Sequence, residues 1–302
     1  MARLMRAFFY KISKDITFRI TLIIGAGMAV LITLIYLLLQ ASMGDELGGT
    51  KLLTGQSMLI SSFSPLQNFG IAIPINLISY IYLEFSQGTI RNKIIAGHSK
   101  TKIYASLYLS GLVFAFALLL VYVGLCTGLG SIFGGFDANG FAMVGTSMGC
   151  KISTEFVLKF CLLAVLVYAS LVSFTIFVIT TFRNMGPSIP IVILILMGCY
   201  LLPTIVSALK VQMEATQQMY LQDPAMIEEA RELDGLIKTL TNTCNVLKVV
   251  DPMYGIAAIE SNAEGVAHID NLTLFGGIGS NLFFAGLFFG LGTYEFMKRD
   301  IK

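Results

Sequence analysis

The chain has 302 residues, of which 56% are hydrophobic and 13% charged, with a formal net charge of +2 and a mean hydropathy of +0.79. Ordinary soluble domains carry about 25% charged residues, so a water-soluble globule could not hide this much apolar surface behind so little charge, and the composition points to an integral membrane protein. No nucleic-acid partner is expected, and the five cysteines, odd in number and without CxxC or CxxH spacing, indicate neither a metal site nor a disulfide scaffold.

At the N-terminus Met5, Phe9, Ile12 and Ile16 recur at helical spacing beside Leu4 and Phe8, while Arg3, Arg6, Tyr10 and Lys14 take the other face. Residues 1–19 are therefore expected to form a short amphipathic helix in the inner headgroup layer. A membrane helix needs about 20 mostly apolar residues. Six segments qualify: 20–39, 66–83, 104–129, 156–182, 188–209 and 272–296. The second is the weakest, with Asn68, Pro74 and Asn76 inside it. No small-residue cleavage site flanks the first, which reads as a retained span. All six pack into one all-α domain, 1–302.

Basic residues orient the bundle. With the N-terminus in the cytoplasm, the short inner segments hold Arg3, Arg6, Lys11, Lys14, Arg19, Arg91, Lys93, Lys100, Lys102, Arg183, Lys298, Arg299 and Lys302, which are 13 of the 20 basic residues. Segment 210–271 holds four basic and ten acidic residues and belongs outside. Within it Asp223–Pro224 starts a helix. Ile227, Ala230, Leu233, Ile237 and Leu240 form its apolar stripe, expected to pack on the bundle's outer surface. In the last span, close helix packing is expected at Gly286-xxx-Gly290. Cys150 and Cys244 both fall outside and are a candidate pair.

The segment 84–103 separates two of the apolar runs. Thr89 can cap a helix of about two turns, ended by Gly97 in the left-handed conformation, and Ser99 can cap the next. Ile90, Ile94 and Ile95 are expected on one face against the bundle, with Arg91 and Lys93 facing the cytoplasm. The plain alternative is an ordinary basic inner loop. The wording "EFSQGTIRNKIIAGHSKTKIY" resembles the signature of the type-2 ATP-binding-cassette (ABC) transporter permeases, and the match falls on Glu84, Gly88, Thr89, Arg91, Asn92, Lys93, Gly97, Ser99, Lys100, Ile103 and Tyr104. Lys100 stands where many members have arginine. The ending "FMKRDIK" also looks like that family's close. This resemblance implies a coupling helix, with Glu84, Gly88, Thr89, Arg91, Asn92, Lys93 and Gly97 as ATPase-coupling residues. It further implies two separate ATPase subunits, a second permease copy or paralogous permease, and an exporter in the bacterial plasma membrane. The substrate class it implies is a peptide, antibiotic, lipid-like or other amphipathic molecule. Some relatives confer immunity to antimicrobial peptides.

No GxxxxGK[ST] loop is present. No cofactor is expected in this chain, and ATP and Mg²⁺ would be held by the partner ATPase. One competing motif is "GTSMG" at 145–149, a GxSxG form that would make Ser147 a nucleophile with His268 as base and Asp270 beside it. It lies in an outer loop without an evident oxyanion-hole segment, and such motifs recur by chance. An ion-coupled carrier would keep ionisable residues at mid-membrane. Here Glu84, Lys159 and Glu295 lie toward span ends. The expected chain is a transport subunit and not itself an enzyme.

Overall fold

The computed structural model describes residues 10, 12, 14, 16–43, 53–63, 70–136, 141–144, 147–222, 227–257, 260–261 and 266–298. Helices α1 (Ile16–Met43), α2 (Gly55–Phe63), α3 (Ala72–Ser86), α4 (Thr89–Ile95) and α5 (Lys100–Gly134) come first. They are followed by α6 (Thr154–Phe182), α7 (Met185–Gln222), α8 (Ile227–Val250), α9 (Tyr254–Ala257) and α10 (Asn271–Lys298). Two short antiparallel hairpins, absent from the all-α expectation, lie in the loops. They pair β1 (Phe141–Val144) with β2 (Ser147–Lys151), and β3 (Glu260–Ser261) with β4 (Ala267–His268).

Five helices, α1, α5, α6, α7 and α10, are long and apolar enough to cross a membrane. They contain five of the six expected segments, and the molecule is a helical protein of membrane type. The expected span at 66–83 takes a different form. Its apolar part falls in α3, which has 15 residues and a length of about 22 Å, short of the roughly 30 Å hydrocarbon layer. Pro74 stands in the first turn of α3, where its missing N–H leaves no carbonyl unpaired. Ahead of it, α2 is buried at every position but Leu59. A hydropathy window passes over "GQSMLISSF" because of its polar side chains. Inside the bundle the serine hydroxyls among them are satisfied locally: Ser57 Oγ lies 2.8 Å from Thr54 Oγ1, and the Ser62 hydroxyl donates to the Leu59 carbonyl (2.9 Å). Buried hydroxyls tied back to the backbone carry little penalty.

The chain runs back and forth between two ends. Helices α1 and α5 point the same way. Phe18 packs against Phe114, with ring centroids 5.1 Å apart. Farther along, the Gln40 side chain accepts from Leu53 N–H (2.8 Å), next to the place where Gly55 N–H reaches the Gly135 carbonyl (2.9 Å). Between these two helices the chain therefore returns through α2 and α3, and α4 then leads into α5. Helix α6 is the most buried of the five long helices. It lies parallel to α10, with Leu163 against Gly277, Ser170 bonded to Asn281 (2.8 Å), and the Phe174 ring tilted against Phe288 (centroids 4.9 Å apart).

Three further expectations change. Helix α7 does not stop at 209. It continues to Gln222 with Pro190 and Pro203 inside it, a rod of about 57 Å, so segment 210–271 opens as a helical extension of the fifth run. Helix α8 folds back along it, and its Leu233, Ile237 and Leu240 are half-buried as the stripe requires, although Ile227 is exposed. Gly286 and Gly290 meet no neighbour within 4 Å among the described residues, so close packing is not made there within this chain. The near contacts of α10 occur instead at Gly276, under the Lys248 carbonyl, and at Gly292, against the Tyr104 hydroxyl. At the N-terminus Tyr10, Ile12 and Lys14 are helical, with Ile12 buried and Tyr10 exposed, but Ile16–Arg19 belong to α1 itself. The rest of the tail lies outside the described residues.

Candidate functional site

The segment from Glu84 to Ile103 builds a short helix held rigidly at one end of the bundle, here termed the α4 end. Helix α3 closes with Gln87 N–H on the Leu83 carbonyl and Gly88 N–H on the Phe85 carbonyl, both 3.1 Å. Gly88 is left-handed (φ 65°) and serves as the N-cap of α4. Thr89 does not cap the helix. Its hydroxyl turns back to Glu84 and lies 2.8 Å from the carbonyl and 2.6 Å from Oε2. One turn on, Lys93 Nζ lies 2.7 Å from the same Oε2.

The far end of α4 is a Schellman motif. His98 N–H reaches the Lys93 carbonyl (3.2 Å), Gly97 N–H reaches the Ile94 carbonyl (2.9 Å), and Gly97 is left-handed (φ 84°). A β-branched residue at Gly97 would be strained there. Ser99 holds the N-cap position of α5 in extended geometry, without a side-chain capping bond. Lys100 Nζ donates to the Met297 carbonyl (3.1 Å), which ties the start of α5 to the end of α10.

A seven-residue helix has no stability alone. Here Ile90 is 1% exposed and Ile94 packs on the core, so two of the three expected isoleucines seat the helix. Ile95 does not, at 73% exposed. Glu84 is 1% exposed and the Lys93 side chain is 18% exposed. Lys93 thus turns inward onto Glu84 and does not face solvent as expected. A helical wheel of α4 alone places Lys93 off the apolar face, because its partner belongs to the preceding helix. Of the expected site residues, Arg91, Asn92 and Gly97 form the outward surface together with Ile95. Glu84, Thr89 and Lys93 form the internal brace, and Gly88 is the hinge between α3 and α4.

The alternative nucleophile and base lie on two hairpins that touch through β2 and β3. Ser147 begins β2 and His268 ends β4, which belong to separate hairpins. The Ser147 side chain lies outside the described residues, and so do Gly145 and Thr146. Asp270 is held by the Thr273 hydroxyl and by Lys248 Nζ (3.3 Å). Burial alone would raise its pKa, but the Thr273 hydrogen bond and the Lys248 charge bring it below the usual aspartate value. Lys159 pairs with Glu155 at 2.6 Å near the start of α6. The Cys150 side chain is outside the described residues, and Cys244 is a buried free thiol. Among the described residues no three His, Cys, Asp or Glu side chains gather to hold a metal ion.

One further joint, set into the bundle from the opposite end, has no signal in the residue pattern. Residues 251–257 wedge among α6, α7 and α10, with Met253, Tyr254, Ile256 and Ala257 buried. Asn281 Nδ2 donates to the Pro252 carbonyl (2.9 Å) while its Oδ1 accepts from Ser170 (2.8 Å). Asp251 is 7% exposed, accepts from Met253 N–H (2.8 Å), and has its pKa pushed up by burial to about 6. No protein-family model, curated protein or solved structure matches this chain.

Proposed function

We propose that this chain is the membrane-spanning subunit of an ATP-driven transporter of the type-2 ABC permease kind. The observation that carries the reading is the construction of α4. It is a seven-residue helix with a left-handed glycine at each end, braced from inside by Glu84, Thr89 and Lys93, and it presents Arg91, Asn92 and Ile95 outward. Such a helix can transmit a push as a unit, because its ends are fixed and its lysine is paired to the preceding helix. Its outward face offers one guanidinium, one amide and one exposed aliphatic side chain, a surface suited to a protein partner.

Counting α2 and α3 as one broken crossing gives six crossings, with both termini on the side where α4 lies. Broken helices are tolerated at membrane depth when they are buried in protein, as α2 is. The basic residues of that side support reading it as the cytoplasmic face, and the permease reading makes the membrane a bacterial plasma membrane. ATP is supplied by two ATPase subunits docked on α4 and on its counterpart in a second permease, a copy or a paralogue. The apolar span centres suit export of an amphipathic or lipid-like substrate.

Two measurements test this. A cysteine at Asn92 should resist an impermeant maleimide in intact cells, and one at Thr243, exposed on α8, should react; the reverse pattern overturns the orientation. A tagged chain purified from its native host should bring down a nucleotide-binding ATPase. Arg91→Glu or Gly97→Val should lose it at unchanged membrane insertion. An ATPase still bound and stimulated in both variants would make 84–103 an ordinary loop.

A further inference from the structure

At the α4 end a cleft of about 280 Å³ opens between the close of α3, α4 and the turn joining α6 to α7. Tyr82, Phe85, Ser86, Gly88, Arg91 and Arg183 line it. Two arginines from separate elements thus line one cleft. Arg183 is the one non-glycine residue with positive φ (52°) among the described residues. Glycine would sit there without strain, so the arginine occupies a costly backbone position that sets where its side chain goes. Its guanidinium carbon lies 5.8 Å from the centroid of the Phe85 ring, so the cation rests beside that ring. Arginine forks match the oxygens of phosphate in a planar, two-pronged way.

The cleft sits where α3 and α6 end and α7 begins. On helices that cross a bilayer this is the headgroup level. Its volume is below the roughly 300–1,000 Å³ of pockets that swallow a whole small ligand, so it suits one charged group of a larger molecule. Phe182, next to Arg183, is 47% exposed and provides apolar surface at the same level. We propose that this cleft binds the phosphate of an anionic phospholipid headgroup, held between Arg91 and Arg183. The proposal rests on the long helices crossing a bilayer and not on the transporter reading, so either can fail without the other.

The test uses the full chain in an uncharged detergent. Native mass spectrometry counts bound phosphatidylglycerol against phosphatidylcholine for the wild type, Arg91→Gln/Arg183→Gln, Arg183→Gly and the control Lys238→Gln. Each guanidinium near a membrane surface is worth about fivefold in anionic-lipid affinity, so the double variant should lose at least about tenfold. Arg183→Gly should lose about fivefold while melting no lower than the wild type, because glycine relieves the left-handed backbone. This keeps loss of lipid distinct from loss of fold. The control should bind as the wild type does, and millimolar inorganic phosphate should leave the lipid in place. Equal retention of the two lipids, or unchanged phosphatidylglycerol binding in the double variant, overturns the proposal. Displacement by inorganic phosphate also overturns it, and assigns the cleft to a free anion. Arg183→Gly losing a bound ATPase while keeping its lipid overturns it in favour of a protein partner.

Discussion

The two ends of the bundle each hold an ion pair that bridges separate elements, and they bury opposite members of it. At the α4 end the carboxylate is inside: the Glu84 side chain is 2% exposed and that of Lys93 is 18%. At the other end the ammonium is inside: the Lys248 side chain is 10% exposed and that of Asp270 is 40%. A broken pair does its damage through the partner left behind in low dielectric. The sensitive residue at each end is therefore the more exposed one, the reverse of what burial alone suggests. The first end is also held by two glycine caps and a Schellman turn. The second is held by an Asx-type bond at Asp251 and by Asn281.

The largest effect should come from Lys93→Met, which strands the Glu84 carboxylate. It should lower unfolding stability in detergent by about 3–5 kcal/mol. Glu84→Gln keeps an acceptor for Thr89 and leaves an ammonium that can reach water, so its loss should be near 1 kcal/mol. Equal losses in the two variants would break the comparison.

Asp270→Asn strands Lys248, which retains the Tyr254 ring at 5.9 Å. The pair is partly solvated, so the loss should fall between the 0–1 kcal/mol of a surface pair and the 3–5 kcal/mol of a buried one, roughly 1–3 kcal/mol. The Asp270 pKa is lowered, so this contribution is present above the unfolded aspartate value and is lost as pH falls through the folded one.

Asp251 acts with the opposite sign. Burial raises its pKa from 3.8 to about 6. The folded state then holds a proton that the unfolded state has released, so stability is lost as pH rises from about 4 to 6. At about 1.4 kcal/mol per pKa unit, the swing is roughly 3 kcal/mol. Asp251→Asn keeps the acceptor for Met253 N–H and should abolish this slope, leaving the variant more stable than the wild type at pH 8. Hydrogen exchange across 251–257, followed against pH, checks it; an unchanged slope would mean that another group titrates. The smallest effect belongs to Asn281→Leu, which removes interhelical bonds typically worth about 0.6 kcal/mol and at most about 1.7 in membranes. A thermal melt should show a drop of that order.

Local signals made the α4 end legible in the sequence. Gly88 and Gly97 punctuate the chain wherever they occur, and the isoleucine spacing marked the helix between them. The inward turn of Lys93 was not legible, because its partner lies nine residues back on another helix. The outward turn of Ile95 depends on how α4 docks, which its own periodicity does not contain. The long apolar runs marked five helices but missed α2, because averaging hydropathy penalises serine even where its hydroxyl is bonded inside. The joint at 251–257 was invisible for a related reason: "DPMYGIA" has no period, and its burial is decided by α6, α7 and α10 closing around it.

The most direct measurement places a photo-crosslinking amino acid at Ile95, on the exposed face of α4, in cells that make the chain with its native partners. A crosslink from position 95 to a nucleotide-binding ATPase is expected, with none from the same group at Leu236, exposed on α8. A position 95 that captures lipid alone, or an ATPase captured at 236 and not at 95, would contradict the assignment of α4 as the docking element.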